Sequence, residues 1–278
     1  MSVTLDRDGL ALSLVDQGGE GLPIVFQHGL CGGEGQVAEL LPTPAPAPLP
    51  PLRRLTLECR GHGASEAGDP ARFSIATFAD DVAAAVESRG ITRAVFGGVS
   101  MGAAIATRLA VRRPDLVRAL VLLRPAWITE AAPANMAANL EVGRLLAAHA
   151  ADDARALFEA SDTARTLAAE APDNLASLRG FFTREPIPVT SDLLTAISLD
   201  GPGISEAELA ALRVPTLVIG QARDLVHPLS HVRRLADLIP GARTVEITPK
   251  GEDKPRSLAE FRAVLAEFLL SLPDETAR

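Results

Sequence analysis

Residues 94–102 read Ala-Val-Phe-Gly-Gly-Val-Ser-Met-Gly: an apolar run ending in Gly97, then Gly98-Val99-Ser100-Met101-Gly102, then a helical pattern over 103–111. A serine flanked by glycines at the junction of a strand and a helix is the context in which G-x-S-x-G forms a sharp turn that lifts the hydroxyl above the strand ends. The two glycines tolerate a crowded, strained backbone. Met101 N–H is then left free at the helix N-terminus, where developing negative charge can be received. A serine at a helix start is also a common N-cap. The strand before it and the helix after it favour the nucleophile.

Working outward, short β-rich runs recur at 24–27, 55–58, 94–97, 119–123, 216–219 and 244–247, most of them followed by turn residues and helical patterns. That alternation predicts a mainly parallel sheet covered on both faces. Segments 3–5 and 11–15 flank Asp8-Gly9, which is hairpin chemistry and adds two antiparallel leading strands, eight in all. Ile75, Phe78, Val82 and Val86 mark a helix stopped by Gly90. Leu258, Phe261, Val264, Leu265 and Phe268 mark a C-terminal helix, for which Ser257 and Glu260 have capping-box spacing.

Two stretches break this order. Six of the ten residues 42–51 are proline, which predicts an extended surface connector. From 125 to 203 the strand signal vanishes and Ala-rich helical segments follow one another, so the expected organisation is a core of residues 1–124 and 204–278 with a helical cap, 125–203, inserted between them. Met136, Leu140, Leu145, Leu146, Phe158, Phe181 and Phe182 are candidates to line a pocket or to pack within the cap.

A length of 278 residues and 47% hydrophobic content allow one large core. A net charge of −8 repels nucleic acid and anionic lipid, so neither is an expected partner. The chain opens without a basic, apolar leader and no run reaches spanning length, which predicts a cytoplasmic protein. Cys31 and Cys59 have neither disulfide-scaffold nor zinc spacing, so no metal is expected and both read as free thiols. A mean hydropathy of +0.18 permits a homo-oligomer.

Three further segments, taken with Ser100, resemble the α/β-hydrolase superfamily. Gln27-His28-Gly29-Leu30 resembles its HG loop, Glu58-Cys59-Arg60-Gly61-His62-Gly63 its D-x-R-G-x-G turn with Glu in place of Asp, and residues 220–228 the loop carrying the acidic triad member. The resemblance implies an α/β-hydrolase fold, Ser100 as nucleophile, Asp224 as the acid, and the N–H groups of Leu30 and Met101 as the oxyanion hole. His28 and Cys31 are then substrate-side residues of the oxyanion loop, with His28 also organising that loop and Arg60 tying neighbouring loops together.

The family places its triad histidine after the last strand, but here that segment reads Val245-Glu246-Ile247-Thr248-Pro249-Lys250-Gly251-Glu252-Asp253-Lys254, and no histidine follows His231. A serine hydroxyl needs a base within reach near pH 7. Three explanations stay open: His227 or His231 supplies it, with His227 the better placed; Glu252 or Asp253 supplies it; or the protein runs no full triad. The leading expectation is a cofactor-independent serine hydrolase of a small carboxylic ester, lactone or related acyl compound, with Ser100, Asp224 and His227 as catalytic residues and an incomplete or atypical triad. The alternatives are a lyase-type enzyme using the same oxyanion hole, or an inactive small-ligand-binding protein.

Overall fold

The computed structural model describes residues 2–273; Met1 and residues 274–278, which the core boundaries above include, lie outside the described residues. Eight strands form one sheet: β1 (Ser2–Arg7), β2 (Leu10–Asp16), β3 (Leu22–Gln27), β4 (Leu52–Leu57), β5 (Ala94–Val99), β6 (Val117–Leu123), β7 (Thr216–Gln221) and β8 (Arg243–Ile247). Their spatial order is β1-β2-β4-β3-β5-β6-β7-β8. Only β2 is reversed, pairing antiparallel with β1 and β4, while the pairs from β4 to β8 are parallel. This is the α/β-hydrolase fold.

Period-2 alternation along the inner strands serves two cores. Ile24, Phe26, Val121, Leu217 and Ile219 face one side, together with α1 (Glu34–Leu40) and α11 (Lys254–Leu270). Val25, Phe96, Leu120, Leu122 and Val218 face the other, against α2 (Ile75–Ser88), α3 (Met101–Arg112) and α10 (Leu229–Leu238). Strands buried on both faces read as continuous apolar runs, which is why β5 and β6 were legible.

Two caps show how the helices are set. Ser74 accepts from Thr77 N–H to start α2, and Gly90, at φ +64°, follows its end, as the periodicity predicts. The capping box at Ser257 and Glu260 is not formed. α11 starts earlier, with Asp253 accepting from Arg256 N–H and Pro255 in the first turn, where its missing donor costs nothing. Glu260 instead accepts from Thr248 N–H at 2.7 Å and tethers the loop after β8.

Between β6 and β7 the chain leaves the sheet for five helices: α4 (Ala137–Ala148), α5 (Ala151–Glu159), α6 (Asp162–Glu170), α7 (Pro172–Phe181) and α8 (Ile187–Leu199). Pro172, Pro186 and Pro188 sit at helix starts rather than inside helices. A short helix, α9 (Glu206–Ala210), leads back to β7 with a complete capping box between Ser205 and Glu208.

Candidate active site

The C-terminal ends of β3, β5, β6, β7 and β8 open onto one edge of the sheet, where ligands of open α/β folds bind. At the end of β5, Ser100 has φ 55° and ψ −111°, a conformation rare for a residue with a Cβ, and only 8% of its surface is exposed. Sterics hold it there. A Cβ on Gly98 would lie 2.4 Å from the Gly102 carbonyl carbon, and one on Gly102 would lie 2.4 Å from the Gln27 carbonyl oxygen. The elbow therefore closes only with glycine at both positions, and in closing it brings α3 against the end of β3.

The loop after β3 wraps over the serine, and a Cβ on Gly29 would sit 3.6 Å from the Ser100 Cβ. Gln36 Oε1 accepts from Gly29 N–H at 2.7 Å. Beneath the loop lie two fully buried histidines with ring centroids 4.7 Å apart. His28 donates from Nδ1 to the Gly29 carbonyl at 2.8 Å and accepts at Nε2 from Cys59 N–H at 3.1 Å; His62 donates from Nδ1 to the Arg60 carbonyl at 3.0 Å and accepts at Nε2 from Cys31 N–H at 3.0 Å. Both rings are thereby the neutral Nδ1–H tautomer, and burial lowers both pKa values. Among the described residues no acceptor engages the N–H of Leu30 or of Met101.

Glu58, standing where the family turn has Asp, uses its extra length: its oxygens accept from Glu34 N–H at 3.0 Å and Ala64 N–H at 2.8 Å. Gly63 makes room, since a Cβ there would fall 2.0 Å from a carboxylate oxygen. Arg60 grips Asp81 through Nε at 2.7 Å and Nη2 at 3.0 Å, and reaches Asp8 through Nη2. These residues tie the β4 turn to the β1–β2 hairpin and α2.

On the opposite wall the chemistry is ionic. Asp224 Oδ1 accepts from His227 Nδ1 at 2.8 Å, His227 N–H at 3.0 Å and Asn174 Nδ2 at 2.9 Å. Oδ2 takes Arg124 Nε at 2.7 Å and Nη2 at 2.6 Å. Burial opposes the Asp224 charge, but His227, Arg124 and Asn174 outweigh it and the carboxyl is held well below its ordinary range. His227 Nδ1 faces the Asp224 carboxylate at 2.8 Å and the Arg124 Nη2 donor at 3.2 Å; the shorter contact with the carboxylate places the proton on Nδ1, because two acceptors at that distance would repel. Burial lowers the His227 pKa, Asp224 opposes that, and Arg124 and Lys250 add to it.

Ser100, Leu30, Cys31, Arg124, Asn174, Phe181, His227 and Lys250 line one cavity of about 270 Å³. Ser100 and His227 face it together, yet no hydrogen bond joins them. His28 lies beneath the wall rather than in it, both nitrogens being taken by backbone. Cys31 is in the wall, with φ 59° and its thiol pushed up to about 12 by burial. The other candidates for the base lie apart. His231 sits on α10, its imidazole near the backbone of Pro125 and Ala126; Glu252 is exposed, 3.9 Å from Arg223; Asp253 caps α11. Of the apolar cap residues proposed for a pocket, Phe181 lines this cavity; Met136, Leu146, Phe158 and Phe182 are buried in the core that joins cap to sheet.

Sequence reasoning did not single out Arg124, Asn174 or Lys250. Arg124, at φ 49°, ends the apolar run of β6 at the edge where sites form, which was the available signal. Asn174, on α7 of the insert, also accepts from Leu225 and Val226 N–H and so ties the loop after β7 to the insert.

The alpha/beta hydrolase fold family matches residues 23–253, and the chain belongs to that family. A Klebsiella pneumoniae (strain 342) protein provisionally named carbamate hydrolase RutD is 32% identical over 231 residues, 81% of this chain and 82% of its own. A Mycobacterium tuberculosis protein provisionally named non-heme bromoperoxidase BpoC is 32% identical over 85% of this chain and 88% of its own. The structure of Est816, described as an N-acyl homoserine lactone degrading enzyme, superposes with a TM-score of 0.69 at 26% identity, covering 96% of this chain and all of its own (100%). Among the described residues no helix is long and apolar enough to cross a membrane.

Proposed function

We propose that the protein is a serine hydrolase of small carboxylic esters, lactones or related acyl compounds, with Ser100 as nucleophile and His227 as its base. The observation that carries this is the Asp224–His227 contact of 2.8 Å, which keeps the proton on Nδ1 and leaves the Nε2 lone pair free beside the cavity that Ser100 lines. With its pKa lowered, His227 is neutral at pH 7 and competent as a base. A water or the arriving substrate bridges it to Ser100, since catalytic hydrogen bonds are often unformed in a free enzyme.

In this reading Ser100 Oγ attacks the acyl carbon while His227 takes its proton, and the Leu30 and Met101 N–H groups hold the oxyanion. His227 returns the proton to the departing alcohol oxygen. Water then cleaves the acyl-enzyme by the same base, leaving the acid and free Ser100. Cys31 belongs to the substrate wall, and its thiol stays protonated at neutral pH, so it does not compete as nucleophile. Hydrolytic names among the relatives support acyl chemistry. A fluorophosphonate probe labels Ser100 in the folded protein and not in Ser100→Ala; no labelling, with no turnover of a broad acyl panel, overturns the reading.

The unlinked Ser100 hydroxyl favours one second reading, a lyase-type reaction run by the oxyanion hole with His227. Turnover that survives Ser100→Ala but collapses in His227→Gln identifies it.

A further inference from the structure

Arg124, Gln221 and Lys250, which follow or end β6, β7 and β8, line one cavity, and each brings a hydrogen-bond donor to it. Arg124 commits Nε and Nη2 to Asp224, and its Nη1 has no partner among the described residues. Lys250 is half-buried and its ammonium has no carboxylate within ion-pair distance; Asp173, whose charge acts on it, lies against Gly251. Gln221 is 1% exposed and accepts from Lys250 N–H at 3.3 Å, while its Nε2 donor is buried without a partner. A buried amide donor left unpaired is unfavourable unless something arrives to accept from it.

These groups surround a second cavity, of about 120 Å³, between the end of β8, α1 and α11. It adjoins the Ser100 cavity, and Gln36, Val99, Arg124 and Lys250 line both. Its other charges cancel, because Lys254 is paired with Glu39 at 2.6 Å. With Asp224 matched by Arg124, Lys250 carries the surplus positive charge. Gln36 Oε1 is occupied by Gly29 N–H, so the cavity offers donors and wants an anion.

We propose that this second cavity is a carboxylate-binding subsite, formed by Arg124 Nη1, Lys250 Nζ and Gln221 Nε2. The substrate is then an acyl compound with a carboxylate at its far end, a half-ester or half-amide of a short dicarboxylic acid, its scissile carbonyl at Ser100. The assignment of the scissile bond rests on the Ser100 reading; the carboxylate subsite does not. A guanidinium edge, an ammonium and an amide N–H suit a two-oxygen anion.

The test separates the two. Glutarate, dimethyl glutarate and inorganic phosphate are titrated into Ser100→Ala by calorimetry, with the same variant carrying Lys250→Met, Lys250→Arg or Gln221→Leu. Glutarate is expected to bind at least about 10-fold tighter than its dimethyl ester, to lose about 10-fold in Lys250→Met, to be largely retained in Lys250→Arg, and to lose about 3-fold in Gln221→Leu, with weaker binding at high salt. Equal binding of glutarate and its diester, unchanged binding in Lys250→Met and Gln221→Leu, or phosphate binding as tightly as glutarate overturns the subsite. Wild-type kcat/KM on mono-4-nitrophenyl glutarate and 4-nitrophenyl valerate supplies the other arm. Glutarate binding without hydrolysis of either ester fails the Ser100 reading alone, and ester hydrolysis without glutarate binding fails the subsite alone.

Discussion

The wall built by β3 and β5 and the wall built by β6, β7 and β8 face the same cavity with different materials. The first is shaped by its backbone: Gly29, Leu30, Val99 and Ser100 line it, and the elbow beneath them is set by Gly98 and Gly102, where an added Cβ would meet carbonyl atoms 2.4 Å away. The second is a charge cluster in which Arg124, Asp224, His227 and Asn174 reach one another across 50 and 100 residues of chain. The steric wall is local and rigid. The ionic wall is a bargain among distant side chains, in which His227, Arg124 and Asn174 hold Asp224 ionised against burial while Asp224 and Arg124 pull His227 in opposite directions.

The strongest way to break that contrast is to remove the centre of the ionic wall. Asp224 is fully buried, so Asp224→Asn strands the Arg124 charge and releases the His227 tautomer. Breaking a buried pair from one side costs about 3 kcal/mol, and loss of an oriented base costs about 10²-fold or more in kcat. Urea denaturation and esterase kinetics measure the two. A variant with wild-type stability and wild-type kcat would mean the cluster is ornamental to both fold and reaction.

The steric wall gives the next effect, and its sign is diagnostic. Gly→Ala inside a helix ordinarily stabilises by about 1 kcal/mol. At Gly102 the new methyl meets the Gln27 carbonyl, backbone at the end of a central strand that cannot yield, and overpacking of that kind costs about 3 kcal/mol. Gly102→Ala should therefore lose about 2 kcal/mol net. A gain in its urea midpoint would show that the elbow has slack.

The same division decides what the sequence disclosed. All eight strands and the elbow were legible because period, glycine spacing and strand ends are written in adjacent residues. Gly29 and Arg60 could be placed for the same reason, whereas His28, expected on the substrate side, lies beneath the loop with both nitrogens bonded to backbone. The partner of Asp224 could not. Arg124 looks like an ordinary polar residue after an apolar run, and Asn174 like one polar residue in a helical insert; only the chain's return through five helices brings them together. Counting along the loop after β8 pointed to Glu252 and Asp253, but its final turn is drawn in by Glu260 and the early start of α11, so Lys250 faces the cavity while both acids face outward. A capping residue four positions earlier than the sequence pattern suggested, Asp253 rather than Ser257, is enough to change which side chain enters the site.

The smallest effect, and the one that resolves the ionic wall most finely, is a shift in pH dependence. In the proposed mechanism His227 is a base only when neutral, so kcat/KM should rise with pH through a pKa below the ordinary imidazole value and then level off. Burial is the first cause of that lowering, Asp224 works against it, and Arg124 works with it. Arg124→Gln keeps a donor for Asp224 but removes the positive charge, which leaves the Asp224 carboxylate less compensated and favours the imidazolium. The acid limb should then move to higher pH by about one unit. Folding stability follows the same sign. A histidine whose folded pKa is lowered binds its proton more readily when unfolded, so its contribution is present above the unfolded pKa and is lost as pH falls. Narrowing the gap in Arg124→Gln weakens that loss, which sets in as pH falls below the ordinary imidazole value of about 6.5, a window separate from the one below about pH 4 in which Asp224 titrates. Unchanged pH–rate limbs in Arg124→Gln would break the link between Arg124 and the base, and would leave burial alone to keep His227 neutral.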